Sequence, residues 1–238
     1  MRVNRADQFF DRALEAQRDT GFGFTMTSDQ SRQERHQYDT MRDKVLQLIR
    51  NEIENKKAGK AAGIRAKLNN LTDPQVIVSL YEASRAGVTV QLAVRSSCCL
   101  RPGVPGLSEN ITVKAIIDRF LEHSRTFSFE NAAKTLVYVS SADWMARSLD
   151  RRVEVATPVL DPELKKRIVD EVLGMSLNDN VKARRVLQTG QSERIVRGEG
   201  EVALRSQQVL LEMAQKQPES TGDGSVSEPQ KRRKKKKR

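Results

Sequence analysis

The chain has 238 residues, of which 37% are hydrophobic and 31% charged, and its formal net charge is +11. No stretch approaches the roughly eighteen consecutive apolar residues of a membrane-spanning helix, and the charged start MRVNRADQFF lacks the apolar core of a secretory signal. Both classes are therefore excluded. The two cysteines, Cys98 and Cys99, are adjacent and cannot build a disulfide framework, which favours a reducing, cytoplasmic location.

The positive charge is concentrated at one end of the chain. The last eight residues, KRRKKKKR, supply +8 of it, which leaves +3 on residues 1–230. Like charges in such a block repel one another, so we expect a disordered tail that binds polyanions, such as polyphosphate or nucleic acid, without choosing among them.

The first regular elements follow from the spacing of apolar residues. These recur every four positions from Met41 to Ile53, which predicts a helix over residues 41–57. Alternating apolar and polar residues from Ile64 to Leu68 predict a strand.

A second helix and strand come next. Asp73-Pro74 predicts a helix start, with Asp73 as N-cap and Pro74 in the first turn, and Gly87 predicts its end. The alternation from Val88 to Val94 predicts another strand. A strand, a helix and a strand within about thirty residues indicate a parallel crossover unit.

The remaining elements complete one α/β domain. After a sixteen-residue connection, RSSCCLRPGVPGLSEN, the sequence predicts in chain order a short helix from Ile116 to Leu121, strands around 123–129, 135–140 and 152–157, a helix from Asp161-Pro162 to about Gly174, and a helix over 199–216. Composition divides the chain into a polar N-terminal extension (1–37), the domain (38–190), a helical extension (191–217) and a disordered basic tail (218–238).

One group of residues favours phosphate chemistry. His123 and Arg125 are two positions apart at the start of a predicted strand, so they lie on the same side of it. The preceding long loop supplies Arg95 and Arg101. Guanidinium groups neutralise phosphate oxygens bidentately, and imidazole can act as a nucleophile or a general acid.

A strand end completes the predicted pocket. The segment VYVSSADW places Ser140, Ser141 and Asp143 where a strand ends, which is a common ligand position in open α/β sheets. No GxxxxGK[ST] loop, zinc-ligand spacing, HExxH or GxSxG motif is found in the sequence, and no set of acidic residues marks metal ligands.

Longer segments resemble a known family. KLNNLTDPQVIVSLYEASRAGVTVQLAVRSSCCLRPGVPGLSENITVKAIIDRFLEHSR is similar to the C-terminal catalytic domain of bacterial polyphosphate kinases, and FSFEN, SSADWM, SLDRRVEVATPVLDPELKKRI and NDNVKAR continue the resemblance. The similar region spans about residues 40–185. The resemblance implies a phospholipase-D-like α/β fold, a single mixed sheet flanked by helices, and reversible transfer of the terminal phosphate of ATP onto inorganic polyphosphate with Mg²⁺.

The resemblance also implies roles for individual residues. Arg95, in Val94-Arg95-Ser96, matches the ATP-contacting arginine of the family's VRG motif. His123, in the sequence HSR, matches an active-site histidine that acts as general acid or base, and Arg125 replaces the lysine of the phospholipase D motif HxK. The family's phosphorylated histidine lies in another domain with no counterpart in residues 1–37.

The sequence therefore leaves several functions open. The first is half of a polyphosphate kinase site, in a chain that is either a subunit of a split enzyme or a remnant that binds ATP, ADP and polyphosphate. The second is a homodimeric phosphotransferase in which two His123 side chains share one site. The third is a non-catalytic polyanion-binding module that depends on KRRKKKKR.

Overall fold

In a computed structural model, residues 24–25 and 40–216 can be described. The predictions for residues 1–37, apart from 24–25, and for the basic tail lie outside these residues. The strands are β1 (Phe24–Thr25), β2 (Gly63–Leu68), β3 (Thr89–Val94), β4 (Ile111–Ile116), β5 (Arg125–Phe129), β6 (Leu136–Ser140), β7 (Glu154–Pro158), β8 (Ala183–Val186) and β9 (Ser192–Arg194). The helices are α1 (Met41–Lys57), α2 (Pro74–Arg85), α3 (Ala146–Arg151), α4 (Pro162–Arg167), a π-helical segment (Ile168–Gly174), α5 (Met175–Asn178) and α6 (Ser206–Lys216).

The strands form one mixed sheet in the order β1-β7-β6-β5-β2-β3-β4-β8-β9. β2, β3 and β4 are parallel neighbours, and every other pairing is antiparallel. The predicted crossover unit of β2, α2 and β3 is confirmed. So is the mixed sheet flanked by helices.

The helix starts follow local capping chemistry. Thr40 and Asp43 form a reciprocal capping box at the start of α1. At the start of α2, the Asp73 side chain accepts hydrogen bonds from Gln75 N and Val76 N, both at 3.1 Å. Both predicted helices are confirmed.

Helices cover the two faces of the sheet. α1 and α2 pack with one face around the main core, to which Leu92 contributes. The next residue of β3, Ala93, points to the opposite face and packs against Leu173 and Leu177 of the π-helical segment and α5. In residues 24–25 and 40–216, no helix is long and apolar enough to cross a bilayer.

Two predicted helices differ from the structure: one does not form, and the other begins later in the chain. Residues 111–116 form β4, and residues 117–121 continue as irregular chain, so the predicted helix from Ile116 to Leu121 does not form. Apolar residues in a short run fit a strand as well as a helix, and here β4 pairs with β3 and β8. The C-terminal helix begins at Ser206 rather than at residue 199.

Candidate functional site

Four strand ends meet at one edge of the sheet. The parallel strands β2 and β3 end side by side, with Leu68 opposite Val94. β5 is antiparallel to β2 and begins at this edge, where Arg125 lies opposite Ser140, the last residue of β6. The residues that follow β2, β3 and β6 and precede β5 are therefore brought together, as expected for ligand sites in α/β sheets.

Four residues form a closed ring of hydrogen bonds at this edge, through both side-chain and backbone groups. Asn69 Nδ2 lies 3.1 Å from His123 Nδ1. The backbone N–H of Asn69 donates to Asp143 Oδ1 at 2.8 Å, and Arg125 Nη2 donates to Asp143 Oδ2 at 3.2 Å. Arg125 Nη1 closes the ring by donating to the carbonyl oxygen of His123 at 3.2 Å. The structure thus places three predicted residues, His123, Arg125 and Asp143, in one network.

Asp143 is the anchor of the ring. Asp143 is 3% exposed, and its carboxylate also accepts hydrogen bonds from Asn70 N at 3.1 Å and from Asn70 Nδ2 at 3.0 Å. Burial by itself would raise the pKa of Asp143, but hydrogen bonds from Arg125, Asn70 and Asn69 outweigh it and hold the pKa below its ordinary value. Asp143 therefore remains a carboxylate that orients its neighbours, rather than a free ligand in the pocket.

Two guanidinium atoms at the site have no partner. Arg95 Nη1 and Arg125 Nε are buried and make no hydrogen bond with the residues described. Buried donors are almost always paired in folded proteins, and an unpaired one costs free energy. Two such donors at one sheet edge are available to the oxygens of an anionic ligand.

Side chains that the sequence analysis missed line the same edge. Lys67, 7% exposed, forms an ion pair with Glu122 and donates to Ser176 Oγ at 2.9 Å. Lys67 and Glu122 line a pocket together with Asn69 and Arg95. They also line an open cavity of about 450 Å³ together with His123. Lys67 and Asn69 lie at the carboxyl end of β2, and this position is the sequence feature that points to them as site residues.

Gln207 of α6 and Arg205, just before that helix, fix the loop that carries His123. Arg205 donates from Nε and Nη2 to the two oxygens of Asp118, at 2.8 and 2.6 Å. Gln207 pairs with both backbone groups of Phe120, accepting at 2.7 Å and donating at 2.8 Å. The segment 117–124 is therefore held at two points by residues at the start of the C-terminal helix.

The two predicted serines are engaged elsewhere. Ser140 Oγ donates to the Val155 carbonyl at 3.1 Å, and Ser141 Oγ donates to the Glu154 carboxylate and accepts from Val155 N at 3.0 Å. These bonds join the end of β6 to β7. Among the described residues, neither hydroxyl forms a hydrogen bond with His123, Arg125 or Arg95.

Arg101 lies against another part of the fold. Its backbone N–H donates to Tyr81 Oη at 2.8 Å. Its guanidinium packs on Gly190, in the turn between β8 and β9, where a Cβ atom would collide with it. The structure records no contact between Arg101 and His123.

The residues present do not form a protein-held magnesium site. No group of three or more His, Cys, Asp and Glu side chains in residues 24–25 and 40–216 could hold a metal ion. Two carboxylates of the site already have cationic partners, since Asp143 pairs with Arg125 and Glu122 pairs with Lys67. The free guanidinium donors of Arg95 and Arg125 instead suit an anionic group such as a phosphate.

The strand ends of this α/β sheet carry a histidine and two arginines, and each arginine has one buried nitrogen without a hydrogen-bond partner among the described residues. Such donors are typical of sites that bind phosphate groups. Comparison with known proteins is more specific. Residues 37–207 match the model of the "Polyphosphate kinase C-terminal domain 2" family, so the chain belongs to the polyphosphate kinase family.

Individual relatives agree with this assignment. The chain is 45% identical over 183 residues to the polyphosphate kinase of Halalkalibacterium halodurans, covering 77% of this chain and 26% of that protein. It is 48% identical over 171 residues to that of Rhodopirellula baltica, covering 72% and 20%. The crystal structure of the Porphyromonas gingivalis polyphosphate kinase matches at 42% identity and TM-score 0.70, covering 75% of this chain and 27% of that one. The chain thus spans about a fifth to a quarter of these curated relatives.

Proposed function

We propose that this chain supplies the C-terminal half of a polyphosphate kinase site, which binds ATP or ADP and inorganic polyphosphate and takes part in reversible transfer of the ATP terminal phosphate. The observation that carries the proposal is the pair of buried atoms Arg95 Nη1 and Arg125 Nε, which have no hydrogen-bond partner among the described residues. Both arginines lie at the sheet edge that also carries His123. The names of the relatives supply the substrate class.

In this proposal the phosphate oxygens accept hydrogen bonds from Arg95 and Arg125. In the forward direction, the bond between the terminal phosphorus of ATP and the bridging oxygen breaks, and a terminal oxygen of polyphosphate forms a new bond to that phosphorus. ADP leaves with the bridging electron pair. The arginines stabilise the charge on the transferred group, and His123 lies where its ring can exchange a proton or hydrogen bond with a phosphate oxygen.

The first test is a coupled assay on the full chain with Mg²⁺, ADP and long-chain polyphosphate, following ATP formation beside His123→Ala. Activity that disappears in His123→Ala would mean that one kind of chain suffices, as in the homodimer alternative. If the chain shows no activity, the half-site proposal requires that the folded chain still binds ATP or polyphosphate. A folded chain that neither forms ATP nor binds either compound would refute the proposal.

Binding by titration calorimetry assigns the site. Arg95→Gln should weaken ATP or tripolyphosphate binding about tenfold to a hundredfold, because a hydrogen bond between charged groups contributes about 1.5–3 kcal/mol. Arg101→Gln is the matched control, since its guanidinium lies against Gly190, and it should change binding little. Equal effects of the two substitutions would contradict the assignment.

Deleting residues 231–238 separates the site from the basic tail. If the polyanion-module alternative holds, the deletion abolishes binding and the intact chain's affinity falls steeply with salt. If the half-site proposal holds, binding survives the deletion and still requires Arg95. The complementary subunit and the cytoplasmic location remain parts of the proposal.

A further inference from the structure

The side-chain amide of Asn69 contacts the imidazole ring of His123. Its Nδ2 atom lies 3.1 Å from His123 Nδ1, and the residue is 2% exposed. Two backbone bonds fix it at the end of β2: its N–H donates to Asp143 Oδ1 at 2.8 Å, and its carbonyl accepts from Ser96 N at 2.8 Å. A buried amide held in this way has little freedom to move away from the ring.

We infer that Asn69 is a positioning residue that sets the tautomer of His123. An amide nitrogen carries two donors and no acceptor, so the nitrogen it faces must present a lone pair. A neutral imidazole with an unprotonated Nδ1 carries its proton on Nε2. No residue in the described part of the chain bonds to Nε2, and His123 borders the open cavity at the site.

This tautomer selects one role for the histidine. With its proton on Nε2, His123 donates a hydrogen bond to a phosphate oxygen, and the nitrogen facing a ligand has no lone pair for attack on phosphorus. A nucleophilic histidine needs the opposite arrangement, in which an acceptor such as a carboxylate takes the Nδ1 proton. The nearby carboxylate, Asp143, accepts instead from Asn69 N, Asn70 and Arg125.

The phosphate-donor role rests on the proposed function, whereas the tautomer does not. Asn69 contacts His123 directly, so the tautomer can be measured on the chain with no ligand added. Failure of ATP or polyphosphate binding would therefore refute the proposed function and leave the tautomer untouched. A wrong tautomer would remove this inference and leave phosphate binding by Arg95 and Arg125 standing.

The test is long-range ¹H–¹⁵N correlation NMR on the ¹⁵N-labelled full chain, at a pH where the imidazoles are neutral. The chain has two histidines, so His36→Gln assigns the His123 signals. The neutral side chain of a histidine in water is a mixture of both tautomers. We expect wild-type His123 to show the Nε2–H form alone, Asn69→Leu to show the mixture, and Asn69→Asp to show the Nδ1–H form because a carboxylate accepts that proton.

Two results would overturn the inference. A wild-type Nδ1–H form would mean that Asn69 presents its oxygen, and a wild-type mixture equal to that of Asn69→Leu would mean that the amide exerts no control. Both readings come from the wild type or a neutral substitution, so they do not depend on whether Asn69→Asp folds. Asn70→Leu is a control with a neighbouring amide that contacts Asp143 but not the ring, and it should keep the Nε2–H form.

Discussion

Replacing Asp143 with asparagine tests the ring of hydrogen bonds at the site. In Asp143→Asn, the amide oxygen can still accept from Asn69 N and Asn70 N, which share Oδ1. The new NH₂ group then faces two donors, Asn70 Nδ2 and Arg125 Nη2, which bonded to Oδ2. The substitution therefore removes two hydrogen bonds to the carboxylate, one of them from the Arg125 cation, and leaves the half-buried arginine without its counterion.

The expected cost can be worked out from these contacts. A neutral hydrogen bond contributes about 1 kcal/mol and a charged one about 1.5–3, and breaking a buried ion pair costs about 3–5 kcal/mol. The Arg125 side chain is 17% exposed and can recover some hydration, so the lower end applies. We expect Asp143→Asn to lower the free energy of unfolding by about 3 kcal/mol at pH 7, and the urea midpoint by about 1 M or more.

The pH dependence gives an independent check. Because the pKa of Asp143 in the folded chain lies below the ordinary value of 3.8, its contribution is complete above that value and is lost as the pH falls through the lower, folded pKa. The gap between wild type and Asp143→Asn should therefore narrow below about pH 4. Asp161→Asn is the control: it alters an exposed N-cap that asparagine also satisfies, and should cost about 0.5 kcal/mol or less. A loss under about 1 kcal/mol for Asp143→Asn, or a gap that does not narrow in acid, would refute the reasoning.

Two further substitutions have clear expectations. Ala133 adopts φ 67°, in the left-handed region that costs a non-glycine residue roughly 1–2 kcal/mol, so Ala133→Gly should raise stability in urea by about 0.5–1 kcal/mol after the extra unfolded-state entropy of glycine. The control Ala214→Gly, in the exposed part of α6, should lower the stability by about 1 kcal/mol. If both substitutions changed the stability in the same direction, backbone strain at Ala133 would be contradicted. Glu122→Gln removes the carboxylate paired with Lys67, so tripolyphosphate should bind about tenfold more tightly by calorimetry. Glu163→Gln makes the same charge change on the exposed start of α4, and an equal gain there would show that only net charge matters.

Sequence spacing predicted the elements that local chemistry controls. The four-residue apolar repeat and the Asp73-Pro74 start placed α1 and α2 correctly, and strict alternation placed β2 and β3. Residues 183–186 and 192–194 carry no such pattern, and they are strands because β8 can pair with the edge of β4 and β9 with β8. Pairing across the sheet, rather than the segment's own sequence, decides their structure.

The candidate site divides in the same way. His123 and Arg125 could be found because they lie two positions apart, and Arg95 could be found because it begins a long loop. Asn69 and Lys67 precede His123 by more than fifty positions, and they meet its loop only because β5 pairs antiparallel with β2. No spacing along the chain encodes that contact.

Polar side chains near the end of β6 show why residue type alone does not define a pocket. Ser140 and Ser141 sit where β6 pairs with β7, and their hydroxyls satisfy groups of that neighbouring strand. Asp143 lies beyond the paired residues and turns towards β2 and β5, where donors converge on it. A hydroxyl with a local backbone partner is already satisfied, whereas a carboxylate needs several donors and collects them from different strands. The number of donors a group requires, together with the strand that supplies them, decides whether it helps to build the site.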